Sequence, residues 1–243
     1  MGMIEVEDFK KSFGSKQVHK GVSFYVKTGE CLGLIGGSGA GKSVILRSLI
    51  GLERPDSGKI VIDGTEVTAL KERELVEVRK KVAYVFQGGA LFDSMTVFEN
   101  LAYPLREHTQ LSETEIRRKI LHQLEEFGLG GNENLLPASL SGGMQKRVGL
   151  ARAMMMSPEV VLYDEPTAGL DPYNTKKIQE HILDLKRRGV TSILVTHDMP
   201  TAFAVCDKLA ILLNGRIEAQ GTMEQLEKDS KGLIAKFING EAA

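Results

Sequence analysis

Eight consecutive residues, Gly36-Gly37-Ser38-Gly39-Ala40-Gly41-Lys42-Ser43, match the pattern G-x-x-x-x-G-K-[ST] at every position. Glycines free the backbone to turn its N–H groups toward one point, and a helix starting where the loop ends adds a favourable field for anionic oxygens. The chemistry this suits is the holding of a nucleotide's phosphates. Lys42 would bridge the β- and γ-phosphates, while the Ser43 hydroxyl would ligate Mg2+. The alternative is a glycine-rich structural turn. Against it stand an apolar strand pattern before the loop and a helical pattern after it.

A second chemical signal lies far along the chain. Val160-Val161-Leu162-Tyr163-Asp164-Glu165 puts two acids at the carboxyl end of an apolar run. In an open α/β sheet, ligands sit at the carboxyl ends of the strands. Asp164 there can hold the Mg2+ shell and Glu165 can polarise an attacking water. Adjacent acids also begin many solvated loops, so the signal gains its meaning from the phosphate loop.

The elements that must position these groups follow from the patterning. Residues 3–9 and 22–27 read as antiparallel strands separated by the polar stretch Ser12–Lys20. Cys31–Ile35 is the continuous apolar run of a strand buried on both faces, and Ser43–Leu52 has a helical apolar face. Further strands are expected at 59–62, 82–86, 160–163 and 192–196. Leu209–Leu213 and Arg216–Ala219 flank Asn214-Gly215 as a hairpin. Helices are expected from the Ser112-x-x-Glu115 capping box onward, over Gly142–Met156, and over Asn174–Arg188. The helix-rich stretch 95–157 looks inserted between two parts of an α/β sheet, 1–94 and 158–243.

The 243 residues suffice for one large domain, with 42% hydrophobic and 26% charged residues. Thirty-one basic against 32 acidic residues give a net charge of -1, which offers nothing to a polyanion and argues against nucleic acid as partner. Cys31 and Cys206 are too few and too distant along the chain for a disulfide framework or zinc site, and read as core residues in a reducing compartment. The first residues lack a signal-peptide pattern, and Val6 stands where myristoylation needs Ser or Thr. With no apolar run long enough to span a bilayer, a cytosolic chain that borrows its membrane contact from a partner is expected.

Taken in order, these motifs resemble the nucleotide-binding subunits of ABC transporters over nearly the whole chain. Leu140-Ser141-Gly142-Gly143-Met144 resembles that family's signature sequence. Ser141 would cap a helix whose first N–H groups two glycines leave open, a second anion site or simply an N-cap. Gln87 resembles the glutamine that senses Mg2+ and the membrane partner. Gly169-Leu170-Asp171 resembles the loop that crosses the dimer interface, and His197 the histidine that contacts the γ-phosphate. Phe13 lies where the family has an aromatic residue that stacks on adenine, and would look the same as a core aromatic.

The resemblance implies a RecA-like P-loop NTPase core with an N-terminal antiparallel β subdomain and an inserted α-helical subdomain. It implies ATP and Mg2+ as ligands, with ATP sandwiched in a head-to-tail homodimer, Ser141 to Gly143 of each copy completing the other's site. Met144 and the segment from Gly88 to Arg106 look like the Mla-type ATPases, which move phospholipids between membranes. That likeness implies an integral-membrane permease docking near Gln87–Leu105, an MCE-type lipid-binding subunit, and a place at the cytoplasmic face of the inner membrane. Leu91, Phe92, Met95, Phe98 and Tyr103 form an apolar patch able to receive a permease helix, or to pack the helical insert on the sheet. The motor motifs do not see cargo, so another importer or exporter is the alternative. A soluble ABC protein acting on nucleic acid or ribosomes would come with a second cassette or a long coiled-coil insert. The tail 231–243, with Leu233, Ile234, Phe237 and Ile238 at helical spacing, could pack on its own domain or on a neighbour.

Overall fold

The computed structural model describes residues 3–228 and 232–238. Strands β1 (Ile4–Phe13) and β2 (Lys16–Val26) form a hairpin, and β4 (Ser57–Ile62) and β5 (Thr65–Glu66) extend it into a four-stranded antiparallel sheet. A second sheet has the order β10-β9-β3-β8-β7-β6, built from β3 (Cys31–Ile35), β6 (Val82–Val85), β7 (Val160–Asp164), β8 (Thr191–Val195), β9 (Lys208–Leu213) and β10 (Arg216–Thr222). Its strands are parallel except β10, which turns back along β9 through Asn214 and Gly215, both at positive φ as the hairpin requires.

Alternation along the central strands divides the interior in two. Leu32 and Leu34 of β3 join Leu162, Ile193, Val195 and the antiparallel sheet's Ile4, Phe9 and Phe24 in one core. Cys31 and Ile35 point the other way, into a core shared with Tyr163, Leu194 and the helices beyond. Every residue of β3 is buried, as its unbroken apolar run predicts. The loop that follows β3 is thus hung on a fully enclosed strand inside the sheet.

Helix α1 (Lys42–Leu49) follows the glycine loop, and α2 (Glu72–Lys81) leads into β6. Helices α3 (Val97–His108), α4 (Glu113–Glu126) and α5 (Gly142–Met154) pack on one another between β6 and β7. Ser112 and Glu115 cap α4 reciprocally, and Ile116, Ile120 and Leu124 bury its inner face, the arrangement their spacing predicts. Helices α6 (Pro172–Arg187) and α7 (Met199–Val205) flank β8, and α8 (Met223–Lys228) and α9 (Leu233–Ile238) close the described chain. Leu233 and Phe237 pack on their own core, while the side chains of Ile234 and Ile238 and residues 229–231 and 239–243 lie outside the described residues. No helix among the described residues is long and apolar enough to cross a membrane.

One expectation needs correction. Ser12–Lys20 does not separate the first strands. They run through it to a tight turn at Gly14 and Ser15, because an exposed hairpin tip needs no apolar alternation. The cysteines, far apart along the chain, meet in space: β3 adjoins the end of α7, and the two buried sulfurs lie 3.8 Å apart as free thiols. The apolar patch divides residue by residue. Leu91 and Phe98 pack against the core, whereas Phe92 and Tyr103 stay exposed with their rings 5.1 Å apart.

Asn100, fully buried on α3, fixes the backbone before that helix. Its Oδ1 accepts from the Phe92 N–H at 2.9 Å, and its Nδ2 donates to the carbonyls of Phe92, Met95 and Thr96 at 3.0–3.1 Å. Replacing Asn100 by Ala strands these groups in the interior, where each buried unpaired group costs about 1–3 kcal/mol. The Asn100→Ala chain should unfold at clearly lower urea concentration; an unchanged midpoint would count against this hub.

Candidate nucleotide-binding and active site

The loop from Gly36 to Gly41 leaves the carboxyl end of β3 and enters α1, which starts without a side-chain cap and so leaves its first amides open toward the loop. Gly39 and Gly41 have φ of 75° and 91°. Gly41 also packs on β2: a Cβ there would sit 2.5 Å from His19 Nε2 and 2.7 Å from Val18 Cγ1. Over Gly37 and Gly39, by contrast, nothing lies within 4 Å of where a Cβ would be. One side of the loop is pressed against protein, the other faces an open cleft.

The Lys42 ammonium is buried under the loop and donates to the carbonyls of Gly36 at 2.8 Å and Gly37 at 3.0 Å. Burial lowers its pKa, and the nearby carboxylates of Glu165 and Asp164 act in the opposite direction. The Ser43 hydroxyl donates to Asp164 Oδ1 at 2.8 Å, joining the start of α1 to the end of β7. On the other carboxylate oxygen, Oδ2, the Tyr84 hydroxyl donates at 2.7 Å from β6. Burial and the adjacent carboxylate raise the Tyr84 pKa, so the phenol stays protonated and remains a donor.

Glu165 stands in the left-handed region with φ of 53°, a costly conformation for a residue with a side chain, and its N–H donates to the Val195 carbonyl at 2.9 Å. That turn swings its side chain away from Asp164 and toward β8's end. There Glu165 Oε2 lies 2.8 Å from His197 Nδ1, with the glutamate side chain largely buried and the imidazole open to solvent. A carboxylate so held can accept a proton from a water in the cleft, with the imidazole fixing its orientation.

Phe13, Gly36, Ser38, Gly39, Gly41, Lys42, Ser43, Glu165 and His197 line a single cleft of about 460 Å³, joined by Val18 and Arg47. Phe13 stands exposed at the tip of β1, with its ring offered to the cleft mouth. Ala40 packs toward the core behind the loop. Gln87, at the exposed end of β6, does not line this cleft, and neither do Ser141, Gly142, Gly143 and Asp171.

Those last residues form a second group in the same chain. Ser141 caps α5, its Oγ accepting the Met144 N–H at 3.3 Å, and Asp171 caps α6, accepting the N–H groups of Tyr173 and Asn174. Gly143 packs so tightly on Asn174 that a Cβ would come within 2.6 Å of its Cγ. Lys146 of α5 donates to the Ala168 carbonyl, tying the helix to the loop before Asp171. Tyr84, Arg47 and Asn174 stand outside the sequence motifs. A polar-tipped aromatic within the strand 82–85 was the signal that could have flagged Tyr84.

The sequence profile of the ABC transporter family matches residues 19–168. The chain is 37% identical over 241 residues to the intermembrane phospholipid transport system ATP-binding protein MlaF of Haemophilus influenzae, covering 99% of this chain and 91% of that protein. It is 42% identical over 238 residues to the probable ribonucleotide transport ATP-binding protein mkl of Mycobacterium leprae, covering 98% of this chain and 69% of that protein. Among solved structures, a dimeric post-hydrolysis state of an ATP-binding cassette bound to ADP and Pi superposes with a TM-score of 0.85 at 31% identity, over 91% of this chain and 99% of that one. The loop, the paired acids and the sheet that carries them therefore have one source: the chain belongs to the ABC transporter family, as one of its ATP-hydrolysing, nucleotide-binding cassettes.

Proposed function

We propose that the chain energises a transporter that moves phospholipids between membranes, working as a head-to-tail homodimer with ATP held between two copies. The observation that carries the dimer is that Ser141, Gly142 and Gly143 do not line the cleft around Lys42 in their own chain. Ser141 to Gly143 of one copy face the phosphates in the other copy's cleft, and Asp171 lies at the seam. Closure then depends on the γ-phosphate, and its loss removes the bridge.

Within each cleft Phe13 stacks on the adenine and the loop amides from Gly36 to Ser43 hold the phosphates. Ser43 and Asp164 fit Mg2+, a hydroxyl and a carboxylate being the hard oxygen donors it takes, with Gln87 reaching it from the end of β6. Bound there, Mg2+ would supply charge neutralisation for the transferring phosphoryl group. Glu165 takes the proton of the attacking water and His197 orients Glu165 while reaching the γ-phosphate.

Docking of an integral-membrane permease near Gln87–Leu105 is supported by a groove of about 430 Å³ whose walls include Phe86, Phe92, Tyr103, Pro104 and Arg152. Its exposed aromatics suit an amphipathic helix. In this reading the complex also contains an MCE-type lipid-binding subunit, and the chain sits peripherally at the cytoplasmic face of the inner membrane. The phospholipid cargo is favoured by the match to MlaF along 91% of that relative. Ribonucleotide transport is the second reading, favoured by the name of the mycobacterial relative, of which the chain spans 69%.

Glu165→Gln should keep ATP affinity while turnover falls by about 10²–10⁴-fold, measured as phosphate release; turnover at the wild-type rate would remove Glu165 from the mechanism. Lys42→Ala should lose nucleotide binding in calorimetry, and unchanged affinity would overturn the role of the loop. For the cargo, the complex co-purified with its permease and reconstituted in vesicles should move fluorescent phospholipid in an ATP-dependent way. Transport of labelled ribonucleotide with no lipid movement would replace the first reading by the second.

A further inference from the structure

We infer that Tyr84 is a positioning residue for Asp164 and ties that carboxylate to the groove between β6 and α3. The inference rests on Asp164 being a metal ligand, as proposed above. Strand register sets the geometry. β6 runs parallel to β7 with Tyr84 opposite Leu162, and Asp164, two residues further on, shares the face of Leu162. The phenol spans that offset, and its hydroxyl reaches Asp164 Oδ2 at 2.7 Å. Ser43 holds the other oxygen at 2.8 Å, so the carboxylate is gripped from two elements at once. When the Ser43 hydroxyl turns to a cation, the bond from Tyr84 is the one of these two that still fixes the carboxylate plane.

The ring of Tyr84 has a second set of neighbours. It packs on Phe86 with centroids 4.3 Å apart, and both side chains line the groove with Phe92 and Tyr103. A segment seated there presses on the same ring whose hydroxyl holds Asp164. Partners outside the first coordination sphere that orient a metal-binding carboxylate commonly contribute 10–100-fold to metal affinity. Tyr84 has the position and the donor for that role, and its aromatic body gives the groove a physical handle on it.

The test uses the full-length chain, a non-hydrolysable ATP analogue and Mn2+ as a paramagnetic stand-in read by electron paramagnetic resonance. Tyr84→Phe keeps the ring and removes only the donor. It should weaken Mn2+ binding by about 10-fold while metal-free affinity for the analogue stays unchanged, and Asp164→Asn should weaken Mn2+ at least as much. Mn2+ affinity held within about twofold in Tyr84→Phe, with Asp164→Asn defective, would overturn the role of Tyr84 and leave the metal assignment standing. Retained affinity in both variants would overturn the metal assignment and this inference with it. An equal loss of metal-free nucleotide affinity in Tyr84→Phe would mark a general distortion of the cleft, and would also overturn it.

Discussion

Two short hydrogen bonds to one carboxylate hold the centre of this molecule together. Asp164 at the end of β7 receives the hydroxyl of Ser43, which opens α1, and that of Tyr84, which comes from β6. Through them the phosphate loop, the strand of paired acids and the strand that leads to Gln87 are fixed relative to one another. The bonds lie at the carboxyl ends of parallel strands, where the sheet leaves its ligands room. A carboxylate in such a place needs its lone pairs satisfied, and both donors come from residues that also face the cleft or the groove.

The neighbouring Glu165 is kept apart by backbone conformation. Its positive φ breaks the strand direction just after Asp164 and turns the glutamate toward His197. Asp164 remains with Ser43 and Tyr84, while Glu165 pairs with His197 across the cleft floor. Two adjacent carboxylates thus acquire different partners and become available for different tasks. Lys42, held beneath the loop by two carbonyls, supplies positive charge to both from one side.

Much of this was legible because glycine patterns, apolar runs and caps are local signals. Cys31–Ile35, the loop after it, the capping box at Ser112 and the Asn214-Gly215 turn each express their structure within a few residues. What the sequence hid was tertiary. Pro104 inside α3 obscures that helix's pattern, although Thr96 and Glu99 form the same reciprocal cap as Ser112 and Glu115. Asn100 looks like any polar residue until the carbonyls around it are placed. Tyr84 and the pairing of Cys31 with Cys206 depend on strand order, and β3 lying between β8 and β9 cannot be read from local spacing.

In the proposed dimer the cleft is half of a site whose other half is carried by a second copy. Mixing two inactive variants tests it most directly: Lys42→Ala, with a broken phosphate loop, and Ser141→Arg, with a blocked helix cap. In a mixed dimer both lesions fall in one site and leave the other intact. Each variant alone should hydrolyse no ATP above background, and their mixture should regain a measurable share of wild-type phosphate release. A mixture as inactive as its parts, under conditions where the two variants are shown to associate, would contradict it.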